Sequence, residues 1–272
     1  MSAVDVDAYL ERIGAERPAR ADLEALEYLQ ERHLRSVPFE TFDFSLGDPV
    51  RIGEGAVEKI VGRRRGGGCY ELNTSFAALL TALGYRVSLL AGRSLHNGQE
   101  PRLGAFFGHM MLRVEIDGEF WLADVGFRWA SWAPLRFAER GPQKDENGEY
   151  RIVDTPDGDV EIVHDGVHRI RLETRARDIG DFVPTMWWFC TSEDSPVTGR
   201  TIWASLVRPE GRASLLDRRL TRYENGERIT EVLDDDAFPA AVERWFGIEL
   251  DRLPELPPMP AAGPRARRGP WT

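Results

Sequence analysis

The sequence predicts an α+β protein in which helices come first, strands follow, and a mixed segment closes the chain. Three observations carry that prediction. Residues 5 to 84 repeat apolar positions at helical spacing. From residue 85 to about 172 the pattern changes to short alternating runs separated by turn residues. The last third sets strands around a second hairpin signal and adds one further helix.

In chain order, the first helix covers Val6–Ile13. The second covers residues 22 to 37, where Leu23, Leu26, Leu29 and Leu34 fall close to one face. A third spans 54 to 62. The fourth opens on the run Arg65-Gly66-Gly67-Gly68-Cys69-Tyr70-Glu71-Leu72-Asn73. Leu72, Phe76, Leu79, Leu80 and Leu83 recur at helical spacing after it, and Gly84 supplies the stop. Strands are then predicted at 86 to 90, His109–Ile116, 119 to 125, 150 to 154 and 167 to 174. Asp117-Gly118 joins two of them as a two-residue hairpin turn, and Asn225-Gly226 is a second such turn. The closing helix is Ala237–Phe246, with Asp236 as its cap and Asp234, Asp235 and Asp236 complementing its positive end. Pro, Ala, Gly and Arg dominate from residue 253, which predicts a disordered tail to 272. The organisation expected is a helical part over 1–84, a strand-rich part over 85–185, a mixed lid over 186–252 and that tail.

At 272 residues the chain is long enough for a sizeable core. A formal net charge of −10 argues against nucleic acid or an anionic membrane as the main partner. Only two cysteines occur, Cys69 and Cys190, so neither a disulfide framework nor a paired-cysteine metal motif is present. A reducing compartment fits that usage. The N-terminus has no basic segment leading into an apolar stretch, and no run of 18 apolar residues occurs, so the expected location is the cytoplasm.

The chemistry starts at Cys69, which falls at the predicted start of the fourth helix. Unpaired backbone N–H groups and the helix dipole favour a thiolate there, and the thiolate is the nucleophilic form. Arg63, Arg64 and Arg65 just upstream add positive charge. The bland alternative is that Cys69 is a small buried hydrophobe. The Asp117-Gly118 turn sets a register in which Ile116 pairs with Glu119 and Met111 with Asp124. His109 then lies on the same sheet face as Asp124 and diagonal to it, about 7–8 Å away at the backbone. Imidazole and carboxylate can meet across that distance. If this end of the hairpin faces the helix start, Cys69, His109 and Asp124 form a nucleophile, its base and an orienting acid.

Other residues read blandly. His33 follows a helical leucine row and is expected to be structural; His96, His164 and His168 lie near turns without companions. Cys190 sits in the aromatic stretch Trp187-Trp188-Phe189 and reads as core. A zinc site on Cys69, His109 and Asp124 lacks a close-spaced fourth ligand, so no metal is expected.

These motifs carry a resemblance. Residues 65 to 73 are similar to the RGGxCxELN signature of arylamine N-acetyltransferases, with His109 and Asp124 following Cys69 by 40 and 55 positions. Val37-Pro38-Phe39-Glu40 is similar to that family's PFEN segment, His109-Met110-Met111-Leu112-Arg113-Val114 to its HxxLxV strand, and Ala123-Asp124-Val125-Gly126-Phe127 to its VDVGF segment. Ser195-Pro196 is a weaker match to its SPF stretch, and Trp245-Phe246-Gly247-Ile248 to its closing helix. The resemblance runs from about residue 9 to 250.

It implies an N-terminal helical bundle, a central antiparallel β-barrel and a C-terminal α/β lid around a cysteine-protease-like core. It also implies ping-pong acetyl transfer from acetyl-CoA, a co-substrate and not a bound cofactor, to an aromatic amine or hydrazine. Cys69 is then the acyl-thioester nucleophile, His109 its base and Asp124 the orienting acid. Phe39 and Phe127 fall where the family lines its acceptor pocket, and Arg65, Gly126 and Arg128 are candidates on the donor side. The chain departs from the family in three places. Arg128-Trp129-Ala130-Ser131-Trp132 follows Phe127 where VGFG is usual, Thr41 replaces the Asn of PFEN, and Val197 replaces the Phe of SPF. The first departure motivates a competing reading, an amide synthase that takes a long acyl chain from an acyl carrier protein. A thiol hydrolase and a non-catalytic binding protein are the remaining alternatives.

Overall fold

The computed structural model describes residues 4–96, 102–195 and 201–259. Helix α1 (Val6–Ile13) starts where Asp5 accepts a hydrogen bond from the Ala8 N–H and stops at Gly14, whose φ of +62° is left-handed. Asp22 caps α2 (Leu23–Ser36) in the same way through the Ala25 N–H. Strand β1 (Phe39–Glu40) and the short helices α3 (Phe42–Leu46) and α4 (Glu54–Val57) follow, and α4 widens into a π turn over Glu58–Gly62. Helix α5 (Cys69–Ala82) completes the helical layer. Tyr9, Ile13, Leu26, Leu29, Leu72, Phe76 and Leu80 pack together with no solvent-exposed surface worth counting, so α1 and α2 cover one side of α5.

The other side of α5 meets a large antiparallel sheet. Its strands are β2 (Arg86–His96), β3 (Arg102–Leu103), β4 (His109–Ile116), β5 (Glu119–Ala123), β6 (Leu135–Arg136), β7 (Gln143–Asp145), β8 (Gly148–Asp154), β9 (Val160–His164) and β10 (Val167–Leu172). They run in the order β6-β5-β4-β2-β10-β9-β8-β7, with β3 beside β2. Alternate side chains point inward, and Leu90, Met111, Leu122, Ile152, Ile162 and Ile170 form one apolar interior from six different strands. Enclosing it curls the sheet. The two ends approach each other where the Asp145 carboxylate accepts from the Trp132 N–H at 2.6 Å and the Ala133 N–H at 3.2 Å. Tyr150 also donates to the Ala130 carbonyl at 3.1 Å. The result is a nearly closed barrel.

A second antiparallel sheet has the order β1-β11-β12-β13-β14, with β11 (Trp203–Arg208), β12 (Gly211–Leu216), β13 (Arg219–Glu224) and β14 (Glu227–Val232). Helix α6 (Val183–Thr191) leads into it, and α7 (Ala237–Phe246) packs Phe238, Val242 and Phe246 onto Leu206, Leu215 and Leu220. Its first strand comes from the N-terminal part of the chain: Phe39 pairs with Ser205 and Glu40 with Ala204. The architecture is α+β, helices then barrel then lid.

Several elements differ from the sequence expectation. Strand β2 runs on to His96, because β4, β10 and β3 all supply partners along it. The expected boundary at residue 185 falls inside α6. Asp236 already has helical backbone angles and makes no side-chain cap; Asp234 takes that role by accepting from the Ala237 N–H at 2.8 Å. Residues 253–259 carry no helix or strand, while the rest of the expected tail, and Pro196 and Val197, lie outside the described residues. Among the described residues no helix is long and apolar enough to cross a membrane.

Candidate active site

The loop before Cys69 is shaped by backbone contact. A Cβ on Gly66 would stand 2.0 Å from the Pro38 carbonyl oxygen, so only glycine fits there. Gly67 bonds β1, accepting from the Glu40 N–H at 3.0 Å. A buried ion network fixes the loop from below. Lys59 reaches Asp43 at 2.7 Å, Glu71 at 3.0 Å and Glu40 at 3.4 Å, while Arg65 reaches Glu40 at 2.8 Å and Asp43 at 2.9 Å. Glu71 also accepts from the Gly68 N–H at 3.0 Å, tying the network to the start of α5. Arg65, a donor-side candidate from sequence, is thus engaged beneath the loop and is not among the residues lining the cleft.

Cys69 is the first residue of α5, partly exposed to that cleft. His109 opens β4, and Asp124 follows the last residue of β5. The β4–β5 register is the one a two-residue turn imposes, with Ile116 opposite Glu119 and Leu112 opposite Ala123. His109 and Asp124 are 3% and 4% exposed, and His109 Nε2 stands 2.6 Å from an Asp124 oxygen. That leaves Nδ1 for the Cys69 sulfur, with which the ring also interacts. Burial opposes a charged His109 ring. The Asp124 carboxylate, and after it the Cys69 sulfur, outweigh burial and push its pKa up to about 10. A histidinium beside the sulfur at neutral pH is the condition that favours a thiolate.

Asp124 does not depend on His109 alone. Its other oxygen accepts from Asn73 Nδ2 at 2.9 Å and from the Gly126 N–H at 2.8 Å. Asn73 in turn accepts from the Val125 N–H at 3.0 Å and donates to the Met110 carbonyl at 2.8 Å. One side chain, one turn along α5 from Cys69, therefore joins the helix to both strands of the hairpin. In the sequence Asn73 closes the Arg65–Asn73 motif with no role evident from the motif itself. Its position four residues after Cys69, on the same helical face, was the available signal. Gly126 lets the hairpin approach: a Cβ there would stand 2.7 Å from Cys69 Cα.

Above these residues lies a cleft with about 750 Å³ of empty space. Its walls are mainly aromatic: Phe39, Phe127, Trp129, Phe189 and Trp203, with Phe39 edge-on to Trp203 at 5.5 Å between ring centroids. Both aromatic residues singled out from sequence, Phe39 and Phe127, line it, as do Gly126 and Arg128. Phe127 also sits 5.1 Å from the His109 ring. Behind Phe127 and Trp129 a smaller cavity of about 310 Å³ opens into the barrel, lined by Met111, Leu122, Asp124 and Arg169 among others. Among the described residues no group of three or more His, Cys, Asp or Glu side chains is arranged to hold a metal. Cys190 is half-buried on α6, and burial pushes its thiol pKa up. His33 lies buried in the helical layer.

Comparison with known proteins gives a consistent result. The family described as N-acetyltransferase matches residues 22–254. The arylamine N-acetyltransferase of Mycolicibacterium smegmatis is 33% identical, covering 92% of this chain and 94% of that protein. Proansamycin X synthase of Amycolatopsis mediterranei is 30% identical, over 90% of this chain and 97% of its own length. Among solved structures, the arylamine N-acetyltransferase of Mycobacterium marinum in complex with CoA superposes with a TM-score of 0.79 at 29% identity, covering 90% of this chain and 93% of that one.

Proposed function

The chain belongs to the arylamine N-acetyltransferase family, and we propose that it transfers an acetyl group from acetyl-CoA to an aromatic amine or hydrazine through a Cys69 thioester. The observation that carries this reading is the buried His109–Asp124 contact of 2.6 Å, placed beside a cysteine that starts a helix and faces an aromatic cleft.

In the resting state His109 is an imidazolium, and Cys69 reacts through its thiolate form. The thiolate attacks the thioester carbonyl carbon of acetyl-CoA. As the tetrahedral adduct collapses, the C–S bond to CoA breaks and the departing sulfur takes the His109 proton. His109 is then neutral and able to act as a base. The amine nitrogen attacks the Cys69 thioester, its proton passes to His109, and the Cys69 thiolate leaves with the amide released. Asp124 orients the ring and stabilises its charged form. Donor and acceptor use the cleft in turn, and the aromatic walls of Phe39, Phe127 and Trp203 hold a flat acceptor near the thioester. The reading places the enzyme in the cytoplasm, where acetyl-CoA and free thiols are available.

The test is direct. Incubation with acetyl-CoA alone should add one acetyl group, located on Cys69 by mass spectrometry, and an arylamine should then remove it as the N-acetyl product. Absence of the acetyl-enzyme would defeat the proposal. A second reading, acyl transfer from a longer thioester, is favoured by the cavity behind Trp129. Faster acylation of Cys69 by long-chain thioesters than by acetyl-CoA would select it.

A further inference from the structure

Several half-buried arginines in this protein face a carboxylate. Arg65 has Glu40 and Asp43, Arg171 has Glu161, Arg177 has Glu173, and Arg222 has Glu224 and Glu231. Three arginines at the wall between barrel and lid do not. Arg128 lines the cleft, Arg169 projects from β10 into the cavity behind it, and Arg212 comes from β12 of the lid sheet. Among the described residues none of the three has a carboxylate within ion-pair distance. Arg128 and Arg169 make no hydrogen bond to any described residue, and the Nε of each is buried without a partner.

What holds Arg128 and Arg169 is aromatic. The Arg128 guanidinium carbon lies 4.7 Å from the Trp129 ring centroid and 5.8 Å from that of Trp203. Arg169 lies 4.2 Å from Trp129, so a single indole carries two cations. The Arg212 side chain donates to the Ser205 hydroxyl at 3.1 Å, the only hydrogen bond that side chain makes among described residues. Like charge raises the electrostatic cost of the arrangement. Burial, and then Arg169 and Arg228, lower the Arg128 pKa; burial, and then Arg128, bring that of Arg212 down to about 10. Asp165 acts on Arg169 only from beyond ion-pair distance, and cations gathered with no paired carboxylate in a chain of net charge −10 are most simply balanced by an anion brought from outside.

We propose that Arg128, Arg169 and Arg212 form an oxyanion-binding subsite at the wall of the acyl-transfer cleft, which takes a carboxylate or phosphate of a substrate whose reacting end lies at Cys69. Guanidinium groups suit either oxyanion, since both present paired oxygens to the planar fork. The assignment of the anion to a substrate rests on the acyl-transfer reading; the subsite itself rests on the arginines. Two sources share this chemistry, the phosphates of the donor and an acidic substituent on the acceptor.

Binding to the Cys69→Ser chain separates them without any turnover. Calorimetry would compare CoA with phosphate-free pantetheine, and 4-aminobenzoate with its uncharged methyl ester, in that chain and with Arg128→Gln or Arg169→Gln added. The expected result is a loss of at least about tenfold in affinity for the charged member of one pair, with less than about threefold for its neutral partner. Loss confined to CoA assigns the donor phosphates; loss confined to 4-aminobenzoate assigns an acceptor carboxylate. Equal loss in charged and neutral members, or none in either pair, overturns the subsite. If a glutamine variant unfolds, salt dependence in the Cys69→Ser chain decides. Potassium chloride should weaken one charged ligand and not its neutral partner, and a flat response for both charged ligands overturns the subsite as well. Failure of Cys69 to accept acetyl groups would defeat the acyl-transfer reading and leave these affinities untouched, so the two failures are distinguishable.

Discussion

His33 in the helical layer and His109 at the barrel end are both buried beside a phenylalanine, and the protein holds them in opposite charge states. His33 has no exposed surface, lies 5.2 Å from the Phe76 ring and shares a hydrogen bond of 3.1 Å with the Tyr9 hydroxyl. Burial, reinforced by Arg12, pulls its pKa down to about 3. His109 faces the same burial penalty and ends at about 10, because Asp124 stands against its Nε2. One carboxylate separates a neutral ring that fills a core from a charged ring that can pass a proton. The carboxylate is itself retained in the interior by Asn73 and Gly126, which satisfy its second oxygen. Burial is common to both regions. The partner decides.

The largest effect should come from removing the group that His109 serves and for which His33 has no counterpart. Cys69→Ser is expected to lower acyl transfer by more than roughly 10⁴-fold, with circular dichroism and melting unchanged. A well-folded variant that keeps substantial activity would remove Cys69 from the mechanism.

Next in size is Asp124→Asn, which should make His109 behave as His33 does. Without the carboxylate only the Cys69 sulfur opposes burial, and the ring's pKa should fall from about 10 towards the ordinary value of about 6.5 or below it. Transfer should fall by roughly 10³- to 10⁴-fold through loss of ring orientation and charge. NMR titration of the histidines, together with the pH profile of Cys69 alkylation, measures both consequences. Persistence of a protonated His109 at pH 8 in the variant would show that Asp124 is not what separates the two rings.

How much of this contrast the sequence carried depends on how local each part is. The His109–Asp124 geometry was legible because Asp117-Gly118 closes the hairpin and fixes its register within 16 residues. The position of Cys69 at a helix start was legible from glycines followed by helical periodicity. The task of Arg65 was not, since Glu40, Asp43 and Lys59 reach it only after α3, α4 and the π turn have folded together. Nor was the membership of Phe39 and Glu40 in the lid sheet, a pairing across more than 160 residues that leaves no local pattern. Arg128 stood out as a departure from the family motif. Its neighbours Arg169 and Arg212 did not, because they arrive from β10 and β12 with nothing in the chain to link them.

A smaller effect sharpens the comparison from the other side. His33→Leu leaves the Tyr9 hydroxyl without its partner in a closed apolar layer, which should destabilise the protein by about 1–3 kcal/mol. Because His33 touches no group of the cleft, kcat/KM should stay within about twofold of wild type. Urea unfolding and steady-state rates test the two halves. A large loss of activity at unchanged stability would contradict a structural role.

The finest test is the pH dependence of stability, where the two rings should act at opposite ends. For His33 the folded pKa is about 3 and the unfolded value near 6.5. Its contribution is fully present above pH 6.5, and is lost as pH falls towards 3, because the unfolded chain takes up a proton that the native ring refuses. At pH 5 the loss should approach about 2 kcal/mol, from roughly 1.36 kcal/mol for each pH unit below 6.5. His109 has the reverse sign. Its folded pKa of about 10 exceeds the unfolded value, so its contribution is complete below pH 6.5 and is lost as pH rises through 10. Carboxylates also titrate on the acid side, so the comparison is between chains and not between pH values. Against wild type, His33→Leu should flatten the stability curve between pH 7 and 5 and leave the alkaline limb alone. His109→Gln should do the opposite. Parallel acid limbs for wild type and His33→Leu would mean that the His33 ring is not held neutral by burial, and the contrast between the two histidines would lose its physical basis.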